Sequence, residues 1–236
     1  MVGCLSQCMR LNISFAADKR PGDVVILVHG LGRTSKSFRK MARHLAQRGY
    51  EVCNIDYPSR KYNIQTLAEK CLRPVINTRL SDPERKVHFV THSMGGIMVR
   101  WCLKKYSLEN IGRIVMLAPP NQGSEVVDFL KARRFIRSIM GPAFRQLSTD
   151  PDGFVNTLGE VNADIGIIAG KRSIGGIHSI LIPGPSDGKV SVARTRLNTM
   201  ADFTVVRRAH TFIMNADEVI DAATRFIETG RFHATG

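Results

Sequence analysis

No apolar stretch of the 236-residue chain approaches the roughly 18 residues that a membrane-spanning helix needs. The strongest, Val24–Val28, has only the length of a strand. Cysteine is sparse and odd in number: the five residues Cys4, Cys8, Cys53, Cys71 and Cys102 show no C-x-x-C spacing. That excludes a disulfide framework and a zinc site; Cys53 and Cys102 fall in apolar runs and read as buried packing thiols. Acidic residues are also short, 20 against 34 Lys and Arg, a net charge of +14. The basic residues are scattered, apart from Lys131, Arg133, Arg134 and Arg137, so the charge reads mainly as a solvated surface. Aromatic residues, 7% of the chain, do not interleave with basic ones into a stacking platform, and nucleic acid is not an expected partner. No basic region opens the N-terminus and Arg10 interrupts its apolar residues early, so no signal peptide is expected and the location is read as cytoplasmic. Leu5-Ser6-Gln7-Cys8 has glutamine where a lipoprotein cleavage site needs a small residue.

With 43% hydrophobic and 23% charged residues the composition is that of a globular protein. A chain of this length buries about 70% of its extended surface without staples. Strand-like runs at Val24–Val28, Glu51–Ile55, Val87–Thr91, Arg113–Ala118, Asp164–Ala169 and Asp202–Arg207 alternate with helical patterns. The latter cover Ser35–Arg48, Asn63–Leu80, Gly95–Lys105, Ser124–Met140, a region Val190–Asn198, and Asp217–Ile227. Doubly buried strands separated by crossover-length helices predict an α/β fold with a mostly parallel central sheet covered on both faces. No repeat or linker divides residues 1–236, so one domain is expected, with a core over about 24–227. Ligands of such sheets bind beyond the carboxyl ends of the strands, which is where reactive residues belong.

The strongest chemical signal is Val87-His88-Phe89-Val90-Thr91-His92-Ser93-Met94-Gly95-Gly96-Ile97. A strand runs into a serine, then Gly-Gly, then a helix. A serine at so abrupt a turn is pushed out of the sheet with its hydroxyl exposed. Small residues must follow it because the helix backbone passes close to the strand. The first amides of the helix face that hydroxyl, where the dipole favours negative charge.

These residues resemble the α/β-hydrolase superfamily, and within it the small bacterial serine lipases and esterases. The family's G-x-S-x-G nucleophile motif reads Thr91-His92-Ser93-Met94-Gly95, with threonine in place of the first glycine. Val28-His29-Gly30-Leu31-Gly32 after the first strong strand matches the family's oxyanion loop, so the resemblance implies that the Leu31 and Met94 amides form the oxyanion hole. An activated serine needs a base and an orienting acid, and the resemblance implies the chain order serine, acid, histidine. Asp187 is the only carboxylate between the last two strands, and Pro185-Ser186-Asp187-Gly188-Lys189-Val190 resembles the family's acid-bearing loop. His210 lies between the last strand and the last helix, where the family carries its base. Of the others, His29 and His92 read as local packing or hydrogen-bonding residues, His88 as a strand and His44 as a helix residue. His178 precedes the acid, and His233 falls in a fraying tail.

The resemblance implies a carboxylester hydrolase that forms an acyl-enzyme on Ser93, with His210 as base and Asp187 orienting it. No metal or cofactor is needed. Because the base must be neutral, activity is expected to decline below about pH 6–7. The expected substrate is a small-molecule or lipid ester. Thioesterase, peptidase and acyltransferase chemistry use the same machinery, and a non-catalytic binding protein is the alternative of a different class. Leu117-Ala118-Pro119-Pro120-Asn121-Gln122-Gly123-Ser124-Glu125 is similar to stretches in bacterial lipase-like hydrolases. Residues 124–160 then occupy the place where the family inserts a cap. Phe129, Ala132, Ile136, Ile139 and Met140 recur at helical spacing opposite Asp128, Lys131, Arg134 and Arg137. Two readings stand: an ordinary sheet-covering helix, or a small lid with an apolar acyl-facing side and a basic side in weak contact with an anionic membrane surface.

Overall fold

The computed structural model describes residues 10–14, 22–173 and 182–234. Cys4, Cys8, the Leu5–Cys8 segment and His178 lie outside the described residues. The strands are β1 (Arg10–Ser14), β2 (Val24–Val28), β3 (Glu51–Asp56), β4 (Val87–His92), β5 (Ile111–Leu117), β6 (Ile165–Gly170) and β7 (Asp202–Val206). They form one seven-stranded sheet in the order β1-β3-β2-β4-β5-β6-β7. All neighbours pair in parallel except β1, which runs antiparallel to β3 at the edge. This is the expected α/β architecture, with one strand that the sequence reading did not find. Its burial is almost entirely one of exposure, so β1 lacks the apolar run that marks the inner strands.

Alternation of side chains along the strands divides the core between the two faces. Val24, Ile26 and Val28 of β2 join one cluster with Phe89, Ile114, Met116, Ile165 and Ile167. Val25 and Leu27 join the other with Val90, Val115, Leu117 and Ile168. On the first face lie α2 (Ile64–Leu67), α3 (Arg73–Arg79) and α4 (Met94–Lys105). On the second lie α1 (Arg39–Gln47) and α9 (Asp217–Thr229). Between β5 and β6 the chain makes four short helices: α5 (Glu125–Lys131), α6 (Arg134–Met140), α7 (Pro142–Arg145) and α8 (Phe154–Thr157).

Several helical expectations are refined. Of the expected Asn63–Leu80, the residues from Ile64 to Arg79 are helical, with Ala68–Leu72 a π-helical turn joining α2 to α3. Pro74 follows directly; its ring and missing N–H are incompatible with a regular i−4 bond, and the widened turn accommodates it. Ser124–Met140 is two helices, broken at Ala132 and Arg133, so the apolar stripe does not form one continuous face. Val190–Asn198 is not a helix; only a 3₁₀ turn, Ala193–Thr195, forms there, fixed by hydrogen bonds to the loop before α5. The tail at His233 does not fray: Phe232 is buried against Phe226 and the His233 ring meets the Thr204 hydroxyl.

Candidate active site

The register Val28↔Thr91 places the loop after β2 beside the end of β4. The chain leaves β2 to reach β3 on one side and returns to β4 on the other, which opens a crevice at the carboxyl ends of these strands. Ser93 sits in it, between the last residue of β4 and the first of α4, at φ 53° and ψ −123°. Such a conformation is strained for a residue with a Cβ, at a cost of about 1–3 kcal/mol. Here it is held by Ser93 N–H donating to Leu117 O (2.9 Å) and Gly96 N–H donating to Ser93 O (3.0 Å). Gly95 is obligatory, since a Cβ there would lie 2.3 Å from Val28 O. Thr91, in place of a glycine, is part of β4 and fully buried; its Oγ1 occupies space that a side chain at Gly96 would contest at 3.2 Å. The second glycine of the pair thus makes room for the threonine.

His210 and Asp187 meet at the far ends of β6 and β7. The Asp187 carboxylate accepts from His210 Nδ1 (2.7 Å) and from the Lys189 and Val190 amides (both 2.9 Å). The His210 amide donates to Asp187 O at 3.0 Å, so the two loops are tied by main chain as well as side chains. A proton on Nδ1 leaves the Nε2 lone pair of His210 available. Both residues are buried. Ser93 and His210 line one cavity of about 250 Å³, and among the described residues no hydrogen bond joins them. Apolar walls come from Leu31, Val127, Leu130, Met140, Phe144 and Leu147, so the helices after β5 roof the serine. The volume sits just below the roughly 300–1,000 Å³ usual for ligand pockets.

Leu31 borders this cavity and Met94 is the first residue of α4. Among the described residues neither amide donates to a protein acceptor, as expected of a helix's first N–H and a tight loop. His29 holds that loop. Its Nδ1 donates to Gly30 O (2.9 Å), its Nε2 accepts from Tyr57 N–H (3.4 Å), and its ring stacks on Tyr57 at 4.0 Å. The Tyr57 hydroxyl donates to His29 O. Burial outweighs these bonds and the nearby Asp56, and lowers the His29 pKa to about 4. The 3.5 Å approach of Asp56 Oδ1 to Nε2 is therefore not an ion pair at neutral pH.

His92 has a longer reach than its sequence position suggested. Its Nε2 donates to His210 O at 2.9 Å, across 118 residues, and the two rings lie 4.8 Å apart. Burial holds its pKa well below the usual histidine range, and Nδ1 is buried without a partner. Arg33 adds a second tie, donating to Thr211 O at 2.8 Å. Neither link has a sequence signature, because each joins a side chain to a distant main-chain carbonyl. The Pro-Pro-Asn-Gln-Gly-Ser stretch lies beside the site: Pro120 and Ser124 border the cavity, and Ser124 Oγ donates to Lys189 O (2.7 Å) next to the acid. Buried Arg100 of α4 anchors it, donating to Asn121 O (2.9 Å) and to Gly159 O (2.7 Å). Among the described residues no cluster of side chains has the makings of a metal site, and no helix is long and apolar enough to cross a membrane.

The model of the alpha/beta hydrolase fold family matches residues 23–147. No curated protein sequence matches significantly. Among solved structures, the mature lipase BlEst2 of Bacillus licheniformis superposes with a TM-score of 0.74 at 19% identity, covering 94% of this chain and 98% of that one. A lipase-esterase related protein from Clostridium acetobutylicum gives 0.61 at 15% identity, over 93% of this chain and 100% of the other. Phospholipase PlaB of Legionella pneumophila gives 0.68 at 19% identity, over 85% of this chain but 56% of its own. With its family match spanning more than half its length, this chain belongs to the α/β-hydrolase family.

Proposed function

We propose that the protein is a serine carboxylester hydrolase. The observation that carries this reading is the strained Ser93 sharing one apolar cavity with a His210 whose Nδ1 is held by Asp187 at 2.7 Å. His210 Nε2 takes the Ser93 proton as the oxygen attacks the ester carbonyl. Hydrogen bonds of this kind are loose in free enzymes and tighten once substrate is bound. Asp187 keeps the ring in the accepting tautomer and stabilises the imidazolium as it forms. The tetrahedral oxygen is taken up by the Leu31 and Met94 amides; losing one such donor typically costs about 3–4 kcal/mol of transition-state stabilisation. His210 then gives its proton to the departing alcohol, and water, activated by the same ring, releases the acid.

Residues 124–160 act in this reading as a small cap whose apolar side confines the acyl chain. The cavity volume suits short to medium chains. Phe135 (74% exposed) and Ile139 (45%), one turn apart on α6, give the cap an outward apolar contact for aggregated ester. A lipase, a lipase-esterase related protein and a phospholipase among the similar structures agree with ester substrates. Labelling with a fluorophosphonate, mapped by mass spectrometry, tests the reading. Modification of Ser93 in the wild type, abolished in Ser93→Ala together with hydrolysis of p-nitrophenyl esters, is the expected result. An unlabelled wild type would leave a binding protein. Parallel assays with thioesters and competing alcohols separate the hydrolase from a thioesterase or acyltransferase.

A further inference from the structure

The chain from Leu130 to Ser148 has two sides. Leu130, Met140, Phe144 and Leu147 face the ester cavity, while Lys131, Gly141, Arg145, Gln146 and Ser148 border a second, open groove of about 1180 Å³. One wall of the groove is closely packed. Gly141, at φ 79°, packs so closely on the main chain of Arg60 that a Cβ would fall 1.8 Å from Arg60 O.

The groove is cationic, with Arg60, Lys131, Arg134 and Arg145 on its walls and Asp150 as the carboxylate facing them. Lys131 is already neutralised, 2.9 Å from Asp150 and 3.1 Å from Asp128. Arg60, Arg134 and Arg145 are exposed and, among the described residues, have no carboxylate partner. Six other arginines, Arg48, Arg73, Arg79, Arg85, Arg194 and Arg208, are each paired with a glutamate, while Arg39 and Arg43 on α1 also have no carboxylate partner among the described residues but border a different groove that Asp56 shares. Unspent positive charge from three separate segments is thus gathered in one concavity. One of these arginines also touches the oxyanion loop: the Arg60 guanidinium fills the place of a side chain at Gly32, 2.7 Å from where its Cβ would be. Gly32 is the residue after Leu31.

The geometry points to an anionic subsite: the groove seats a phosphate-bearing headgroup on the alcohol side of an ester whose acyl chain fills the adjoining cavity. This rests on the esterase reading above and narrows it to esters of phosphorylated alcohols. Guanidinium groups suit that role, since their planar forks donate paired hydrogen bonds to phosphate oxygens and stay charged at every relevant pH. The groove is far larger than a bare phosphate and open, as a headgroup with its own substituents requires.

The test compares two monomeric esters of one short acyl chain, monooctanoylglycerol and its glycerol-phosphate counterpart, below their aggregation concentrations. The phosphorylated ester is expected to have the higher kcat/KM by about tenfold at low salt, a preference that shrinks as salt screens the groove. In Arg134→Gln/Arg145→Gln the ratio is expected to fall toward unity while Ser93 still reacts with fluorophosphonate. A ratio near unity in the wild type, or one unchanged in the double variant, overturns the subsite. A preference seen only on vesicles of anionic lipid would assign the arginines to bilayer contact and overturn it as well. Inorganic phosphate is expected to compete with the phosphorylated ester alone; inhibition of the neutral ester would mark a free-phosphate site instead and refute the headgroup role. If neither ester is hydrolysed and Ser93 stays unlabelled, the esterase reading itself fails and the subsite with it.

Discussion

Acid is expected to loosen the loop after β2 through His29, and the size of the effect follows from its surroundings. The ring is fully buried, stacked on Tyr57, with its one proton committed to Gly30 O and its lone pair to Tyr57 N–H. A second proton has no acceptor except Asp56 at 3.5 Å, and burial dominates, setting the pKa at about 4 against an ordinary value of 6.5. At pH 7 the ring is neutral in both the folded and the unfolded chain and contributes no pH dependence. As pH falls through 6.5 the unfolded chain takes up a proton that the folded one refuses, so stability drops by about 1.4 kcal/mol per pH unit. The loss reaches about 3 kcal/mol near pH 4 and levels off below it, where the folded ring protonates too. Against a typical 5–15 kcal/mol of folding stability this is a large share. Urea unfolding of the wild type and of His29→Asn, which keeps a donor at the Nδ1 position but cannot titrate, isolates the term. His88 and His92, whose pKa values are also lowered by burial, contribute alike to both proteins. The difference between the two unfolding energies is expected to shift by about 3 kcal/mol from pH 7 to pH 4. A difference that does not change with pH would refute the reasoning.

Asp187→Asn removes the acceptor that fixes the His210 tautomer and is expected to lower kcat on p-nitrophenyl esters by about 10³–10⁴-fold, with KM little altered; near-normal turnover would remove Asp187 from the mechanism. His92→Leu leaves the buried His210 carbonyl without its donor and is expected to cost about tenfold or more in kcat. His92→Gln, whose amide reaches the Nε2 position, is expected to restore most of it, whereas His92→Asn, which reproduces only Nδ1, is not. Gly95→Ala drives a methyl group to 2.3 Å from Val28 O and 2.9 Å from His29 O, so a loss of about 1–3 kcal/mol in urea unfolding and of Ser93 labelling is expected. Phe135→Ser/Ile139→Ser is expected to reduce hydrolysis of micellar esters without affecting monomeric ones, and equal effects on both would exclude an interfacial role for α6.

The inner strands were legible because burial on both faces leaves them no choice of residue. Val24–Val28 and Val87–Thr91 are apolar or β-branched almost throughout, and the structure begins both strands where the pattern does. The antiparallel edge strand and the helix breaks were not. β1, Arg10-Leu11-Asn12-Ile13-Ser14, is a strand only because β3 offers it an unpaired edge, a property of β3 and not of its own composition. The π-helical turn goes with the backbone constraint of Pro74, and the break at Ala132 with how a helix meets its neighbours, while periodicity records only which residues are apolar.

For the candidate site the division is similar, and it bears on how the site works. Motifs pointed to Ser93, Asp187 and His210 because steep turns at the ends of strands restrict the residues next to them. Nothing in a motif specifies the bonds that bring those turns together: His92 to the His210 carbonyl, the His210 amide to the Asp187 carbonyl, and Arg33 to the Thr211 carbonyl. Each uses a main-chain acceptor that any residue would supply, so at most the donor side chains, His92 and Arg33, leave a trace in the sequence. The consequence is mechanical. His210 is held from two sides, by the Asp187 loop through its own amide and by the turn after β4 through its carbonyl, and only its Nε2 is left uncommitted. A shift of either loop then moves the ring as a unit with its acid, which is why loss of His92 is expected to appear in kcat while the 2.7 Å bond to Asp187 survives.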